Sequence, residues 1–450
     1  MSGTTVTAVT NREDPLAEPI RTRADAEAFV TKICFKIGPP RLVGIELERL
    51  IHDPTDPTAL VPVERLASAL GSWSPPVLTS RTADPTALGL PLPAGSSVTV
   101  EPGGQVELST RAWATFAECL TAASADADAV RAALARSGLA VGHSGIDPHR
   151  PATRVVEKAR YAAMERYFDR SGAGGAAAGR LMMGSTASVQ LSVDAGTESG
   201  EHAVDERWRT LHAIGPTLVA LFANSPIYAG TPTGWYSTRQ RVWLALDPGR
   251  TTAVPATGDP RAAYAAAALD ARLLCLPNET DRWDAPEGVT FADWLDGAIE
   301  RPPTFADLEY HLSTLFPPVR AKGYLEVRYL DAQAGDDWQV PPAVLWTLLS
   351  SPAVRDAALA AVEPVGAPTW PAAWGRAARD GLTDPVLAAA AAELMELAIA
   401  HAARAGVPTA AVRTIRQFAE RYTFRGRMPA DDQLDDFARS HGLERQEEDR

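Results

Sequence analysis

Cysteine is scarce and poorly spaced for cross-linking. The 450 residues hold three, Cys34, Cys119 and Cys275, an odd and scattered set that supports neither a disulfide framework nor a CxxC metal site, so buried reduced thiols are expected. Positive charge is also short. Against 56 Asp and Glu stand 43 Lys and Arg, a formal net charge of -13, which argues against a nucleic-acid coat or an anionic-membrane binder while leaving room for a local basic pocket. No apolar run approaches the roughly 20 residues of a membrane span, and the opening stretch lacks the apolar core of a secretory signal; the expectation is a soluble, cytoplasmic protein. Several familiar signatures are missing too. There is no GxxxxGK[ST] loop and no GxGxxG opening a helix after a strand, no HExxH or other zinc spacing among the histidines, and no GxSxG elbow. Nucleotide chemistry, if present, must hold its phosphates through metal on a sheet.

What is present is alternation. Thr186, Ser188, Gln190, Ser192 and Asp194 fall on one face of a nine-residue run whose other face is Ala187, Val189, Leu191 and Val193, the two-residue period of a strand. Three other segments repeat the pattern around a carboxylate: Glu46 and Glu48 opposite Ile45 and Leu47, Glu107 between Gln105 and Ser109, and Glu326 beside Arg328 in Tyr324 to Tyr329. One such strand alone is an ordinary solvated face. Four adjacent ones would make a wall of hard oxygen ligands suited to Mg2+ with substrate phosphate in its shell. A second constellation runs from Asn224 to Arg250, where Arg239, Arg241 and Arg250 adjoin Gly- and Pro-rich backbone; the planar guanidinium matches carboxylate or phosphate bidentately. Lys158-Ala-Arg-Tyr161 adds basic residues near a helix start, and taken alone reads as a solvated helix face.

Composition and punctuation suggest the organisation. With 46% hydrophobic residues the chain can bury a sizeable core. Residues 1–21 read as a polar mobile tail, 22–340 as one catalytic unit, 341–442 as an Ala- and Leu-rich helical region packed on it, and 443–450 as a frayed end. Helical periodicity marks Asp25 to Lys36, Trp113 to Ser137, Val155 to Asp169 and Ala203 to Phe222, with shorter helices from Thr290 to Arg301 and Thr304 to Leu312. The Val155 helix is expected to end before the Gly-rich stretch from Ser171 to Gly179, and Tyr228 to Gly234 reads as a loop free to close over a ligand. Strands and helices do not alternate as βαβ units, so an antiparallel α+β fold is favoured.

These motifs, in order, resemble the plant and bacterial type of glutamate-cysteine ligase, a glutamine synthetase-like carboxylate-amine ligase family. The resemblance rests on Gly44-Ile-Glu-Leu-Glu48, Gly104-Gln-Val-Glu-Leu-Ser109, Lys158-Ala-Arg-Tyr161 with Met164, Thr186-Ala-Ser-Val-Gln190 with Asp194, Ala223-Asn-Ser-Pro226, Ser237-Thr-Arg239 with Trp243, Asp247 and Arg250, and the run from Phe316 to Arg328. The Ala-rich tail and the Thr186 motif are most similar to the branch that feeds ergothioneine synthesis. The resemblance implies an antiparallel sheet curved into a funnel, with helices outside and L-glutamate, L-cysteine, ATP and Mg2+ on its polar face. It implies metal binding by Glu46, Glu48, Glu107 and Glu326. Catalytic roles fall to Glu46, Glu107, Arg239 and Arg328; contacts to substrate to Arg239, Arg250, Trp243 and Ser237; and contacts to ATP phosphates to Lys158, Gln190 and Arg328. Ser192 stands where the family often has Asn. No partner beyond these small molecules is implied, and a monomer is compatible. Two other readings share the residues: a ligase of this fold acting on a different amine, and a binding protein that has kept the fold without the chemistry.

Overall fold

The four alternating segments are neighbours in a single sheet in the computed structural model, which describes residues 15–80, 87–255, 257–280 and 282–442. The sheet has six strands: β1 (Val43–Arg49), β2 (Ser97–Val100), β3 (Val106–Ser109), β4 (Ser188–Val193), β5 (Val319–Ala321) and β6 (Leu325–Asp331). Their spatial order is β2-β3-β1-β4-β6-β5, and each pairing is antiparallel.

Register decides which side chains meet. Glu48 pairs with Glu107 and Glu46 with Ser109 across β1 and β3, while Glu46 pairs with Gln190 on β4. Thr99 lies beside Glu107, and Glu326 lies between Ser192 and Arg320. Directly opposed residues share a face, so these polar groups form one surface. Beneath it Ile45, Leu47, Leu108, Val189, Leu191, Val193, Leu325 and Val327 are all buried in the main core, covered in part by the helices Phe116–Arg136 and Val340–Leu348. Burial of each such side chain favours the fold by roughly 1.5–3 kcal/mol, and a one-residue slip of any strand would turn them to the polar side. The β6–β4 ladder breaks register between Val327 and Leu330. That irregularity contains Arg328, and such bulges re-aim side chains at functional sites.

The helices follow local signals with some departures. Thr22 caps Arg23–Cys34 and Thr115 caps Phe116–Arg136, each accepting from the third backbone N–H beyond it. The Gly-rich stretch, before which the helix was expected to end, itself belongs to a second helix, Gly172–Ser185, packed on Ala159–Asp169. A side chain at Gly179 would come within 2.3 Å of Phe168 Cβ, so small residues allow the two helices to approach, and tertiary packing overrides the helix cost of glycine. The long helix expected over Ala203 to Phe222 is two, Val204–Ala213 and Gly215–Leu221, separated before Pro216. Thr290 to Arg301 contracts to Phe291–Leu295.

Part of the expected N-terminal tail is packed, since Ile20 is buried and its N–H donates to Pro303 O; the rest of it, residues 1–14, and the expected frayed end, 443–450, lie outside the described residues. From Val340 onward the helices Val340–Leu348, Pro352–Val362, Ala372–Asp380, Pro385–His401, Thr409–Arg421 and Pro429–Ser440 follow one another. All three cysteines are free and buried. Among the described residues no helix is long and apolar enough to cross a membrane.

Candidate active site

The polar face of the sheet lines a cavity of about 1150 Å³, at the upper end of the roughly 300–1,000 Å³ usual for small-molecule sites. Its lining includes Glu46, Glu48, Glu101 and Glu107 together with Lys158, Arg160, Arg320 and Arg328, and Tyr161, Met164, Trp243 and Phe316 as apolar wall. Strand β4, the most regular of the alternating segments, is central, so its polar side is roofed: Ser188 and Gln190 are buried alongside the apolar side chains beneath them.

The carboxylates are crowded. One oxygen from each of Glu46, Glu48 and Glu107 lies within 4.8 Å of the others. Thr99 Oγ1 donates to Glu107 at 2.5 Å, and Ser109 Oγ donates to Glu46 at 3.3 Å. Burial, and then repulsion by Glu107, Glu326 and Glu48, holds the Glu46 carboxyl well above its ordinary range. Burial with Glu101 and Glu48 nearby pushes Glu107 up to about 7, and burial with Glu48 and Glu46 nearby does the same to Glu101. Anions so close and so poorly solvated call for a multivalent cation, and an all-oxygen set suits Mg2+. The residues therefore fit the metal that the resemblance implies.

Glu326 is balanced differently. Its Oε2 accepts from Arg320 Nε at 2.7 Å and from Arg328 Nη1 at 2.8 Å, and the two guanidinium groups outweigh burial and bring its carboxyl down to about 2. It stands outside the group formed by the other three glutamates. Gln190 joins the two halves: its amide nitrogen donates to Glu48 Oε1 at 3.0 Å and its oxygen accepts from Arg328 Nη1 at 3.2 Å.

Arg239 is almost completely buried. Its Nη2 donates to Arg328 O at 2.8 Å, whereas Nε and Nη1 have no hydrogen-bond partner among the described residues. Trp243 lies 5.8 Å from the Arg239 guanidinium and 5.9 Å from that of Arg328. Two donors of a buried cation are thus available to an anion beside the basic edge of the sheet. Lys158 lines the cavity at the start of Ala159–Asp169, with its ammonium 5.2 Å from the Tyr161 ring. Burial lowers its pKa while Glu101 opposes that shift.

Other expected participants are elsewhere. The buried guanidinium of Arg250 is enclosed by Thr314 and the Arg272 carbonyl, 3.4 Å from Asp247, and outside the cavity lining; it ties loops together where a substrate contact was expected. Ser237 caps the helix Thr238–Ala245 and donates to Asp331 Oδ1 at 3.0 Å, so its hydroxyl is committed to protein. Asp194 accepts from the backbone N–H of Arg41 and Leu42 and fixes the entry to β1. Gln105 does line the cavity, with its amide nitrogen donating to the Thr186 carbonyl. The segment Tyr228 to Gly234 forms a small hairpin that does not line the cavity.

Sequence reasoning assigned no role to Glu101, Arg320 or Asp331, and read Arg160 as part of a solvated helix face. Glu101 was hidden because it sits in the turn before β3, off the alternating pattern that drew attention to Glu107. The turn reaches the cavity because Gly103 lies against Gly184, where a Cβ would meet the Gly184 carbonyl at 2.3 Å. Arg320 has a visible signal in hindsight, alternating with apolar neighbours on β5.

Comparison with known proteins agrees with the geometry. The model of glutamate-cysteine ligase family 2 (GCS2) matches residues 42–449. The glutamate-cysteine ligase EgtA of Mycolicibacterium smegmatis is 41% identical over 412 residues, 90% of each chain. EgtA of Mycobacterium tuberculosis H37Rv is 39% identical over 414 residues, 90% of this chain and 88% of that one. The chloroplastic glutamate-cysteine ligase of Medicago truncatula is 32% identical over 252 residues, 54% of this chain and 47% of that one.

Proposed function

Because the chain belongs to glutamate-cysteine ligase family 2, we propose that its cavity joins the γ-carboxylate of L-glutamate to the amine of L-cysteine, using ATP and Mg2+, by way of a γ-glutamyl phosphate. The observation that carries this reading is the meeting of three crowded carboxylates, Glu46, Glu48 and Glu107, with Arg328 and Lys158 around one space, and with the buried Arg239 behind Arg328, bonded to its carbonyl. The sheet serves as the wall of a funnel of the glutamine synthetase-like kind.

Phosphorylating a carboxylate brings two anions together, so the catalyst must neutralise and align them. Glu46, Glu48 and Glu107, with Glu101 adjacent, would hold Mg2+, whose charge would screen the ATP phosphates. Arg239 presents Nε and Nη1 to a glutamate carboxylate, and Trp243 covers the guanidinium. Glu326 holds Arg320 and Arg328 at the phosphate side; this assignment differs from the metal-ligand role that the resemblance implied for it. Gln190 fixes the spacing between metal side and phosphate side.

The γ-carboxylate oxygen attacks the γ-phosphorus and ADP leaves. The cysteine nitrogen then attacks the carbonyl carbon, phosphate departs with the original carboxylate oxygen, and the amine gives up a proton. The apolar wall of Tyr161, Met164 and Phe316 limits the water that would hydrolyse the acyl phosphate. The two 39–41% identical EgtA relatives support a place in ergothioneine synthesis. Glutamate carrying 18O in its γ-carboxylate tests the route: the label is expected in inorganic phosphate only when cysteine and ATP are both present, and unlabelled phosphate would exclude the acyl phosphate.

A further inference from the structure

Asp331, at the end of β6, is buried and accepts three hydrogen bonds: from Asn224 N at 2.9 Å, Ser225 Oγ at 2.7 Å and Ser237 Oγ at 3.0 Å. Each serine passes the constraint on. Ser225 Oγ accepts from Arg239 N at 3.1 Å, and Ser237 Oγ accepts from Gln240 N at 3.1 Å. Both are backbone donors in the first turn of Thr238–Ala245, the helix from which Arg239 projects. A hydroxyl that donates to a carboxylate has its lone pairs turned toward those N–H groups, so one anion sets the direction of both caps. The far end of the Arg239 side chain is held by the carbonyl of Arg328, on the same strand as Asp331.

The brace extends beyond the sheet. Asn224 donates its side-chain amide to the carbonyls of His143 and Ala332 and receives Gln433 Nε2 from the helix Pro429–Ser440 at 3.0 Å on its carbonyl and 2.5 Å on its side-chain oxygen. Gly145 lies behind Asp331, where a Cβ would approach the carboxylate carbon to 2.7 Å, so a side chain at 145 would collide with the carboxylate.

We propose that Asp331 is a positioning residue for glutamate recognition. Through Ser225 and Ser237 it fixes the helix turn that carries Arg239, and Gln433 of the C-terminal helix steadies this arrangement from outside the cavity. The proposal rests on Arg239 as the partner of a glutamate carboxylate, and the experiment separates the two.

Steady-state kinetics of the full-length Asp331→Asn, Gln433→Ala and Arg239→Lys proteins, varying glutamate and ATP separately, make the test. D331N keeps the shape and loses the charge and one acceptor. Its KM for glutamate is expected to rise about 10-fold or more, with the KM for ATP changed less than about twofold and the melting profile still cooperative. Gln433→Ala should shift glutamate KM in the same direction by a smaller factor, and it carries the test should D331N not fold. Equal rises in both KM values, or an unchanged glutamate KM in the folded variants, would overturn the proposal. If Arg239→Lys raises glutamate KM while D331N and Gln433→Ala do not, only the positioning role falls; if Arg239→Lys also leaves it unchanged, the Arg239 reading falls and the proposal with it.

Discussion

Gln190 and Glu48, on adjacent central strands, share a hydrogen bond of 3.0 Å, while the other end of the same amide receives Arg328. One neutral side chain therefore spans the boundary between excess negative and excess positive charge. Gln190→Leu removes both contacts at nearly constant volume and leaves Glu48 and Arg328 each short of a partner. A fall in kcat of about 10-fold or more is expected from lost alignment, and initial rates at saturating substrates check it; wild-type kcat would remove Gln190 from the account.

Glu46→Gln and Glu107→Gln each remove one charge from the group proposed to hold a divalent ion. Turnover should drop by about 100-fold or more, because the metal supplies several kcal/mol of charge stabilisation, while far-ultraviolet circular dichroism remains that of the parent. Calorimetric titration with Mn2+ as a probe should show weakened binding. Near-normal activity in either variant would mean that the metal lies elsewhere.

The same crowding predicts a pH effect. Glu101 and Glu107 titrate near about 7 in the fold, against an ordinary 4.5. The metal-free fold thus retains protons that the unfolded chain has released, and its stability is expected to fall as pH rises from about 4.5 through about 7. Mg2+ bound as proposed would take the place of those protons. Thermal melts with and without Mg2+ should differ more at pH 8 than at pH 5, and a larger difference at pH 5 would contradict the electrostatic picture.

Arg239→Lys keeps the charge and loses the planar fork. With two guanidinium donors available, the substitution should raise glutamate KM by about 10-fold or more and change kcat less. Glutamate saturation curves decide it, and an unchanged KM would dissociate Arg239 from substrate.

Much of this site was legible as alternation, because a strand with one face in the core must place every second residue together. Glu46, Glu48, Glu107, Gln190 and Arg328 were expected on one face for that reason, and cross-strand register makes them neighbours. Sequence could not show that Arg320 would reach Glu326, a contact set by the pairing of two strands. Arg250 misled for a related reason. An arginine in a Gly- and Pro-rich stretch suggests a ligand contact, yet its donors go to carbonyls brought from distant segments. Glycines deceived in the same way at Gly172–Ser185, where their small size serves helix packing and not a loop.

The central claim is the reaction. Purified protein given Mg2+, ATP and glutamate should release ADP when L-cysteine is added, with γ-glutamylcysteine identified by mass, and far more slowly with a panel of other amino acids in its place. ADP release that ignores cysteine, or a product formed preferentially with another amine, would contradict it.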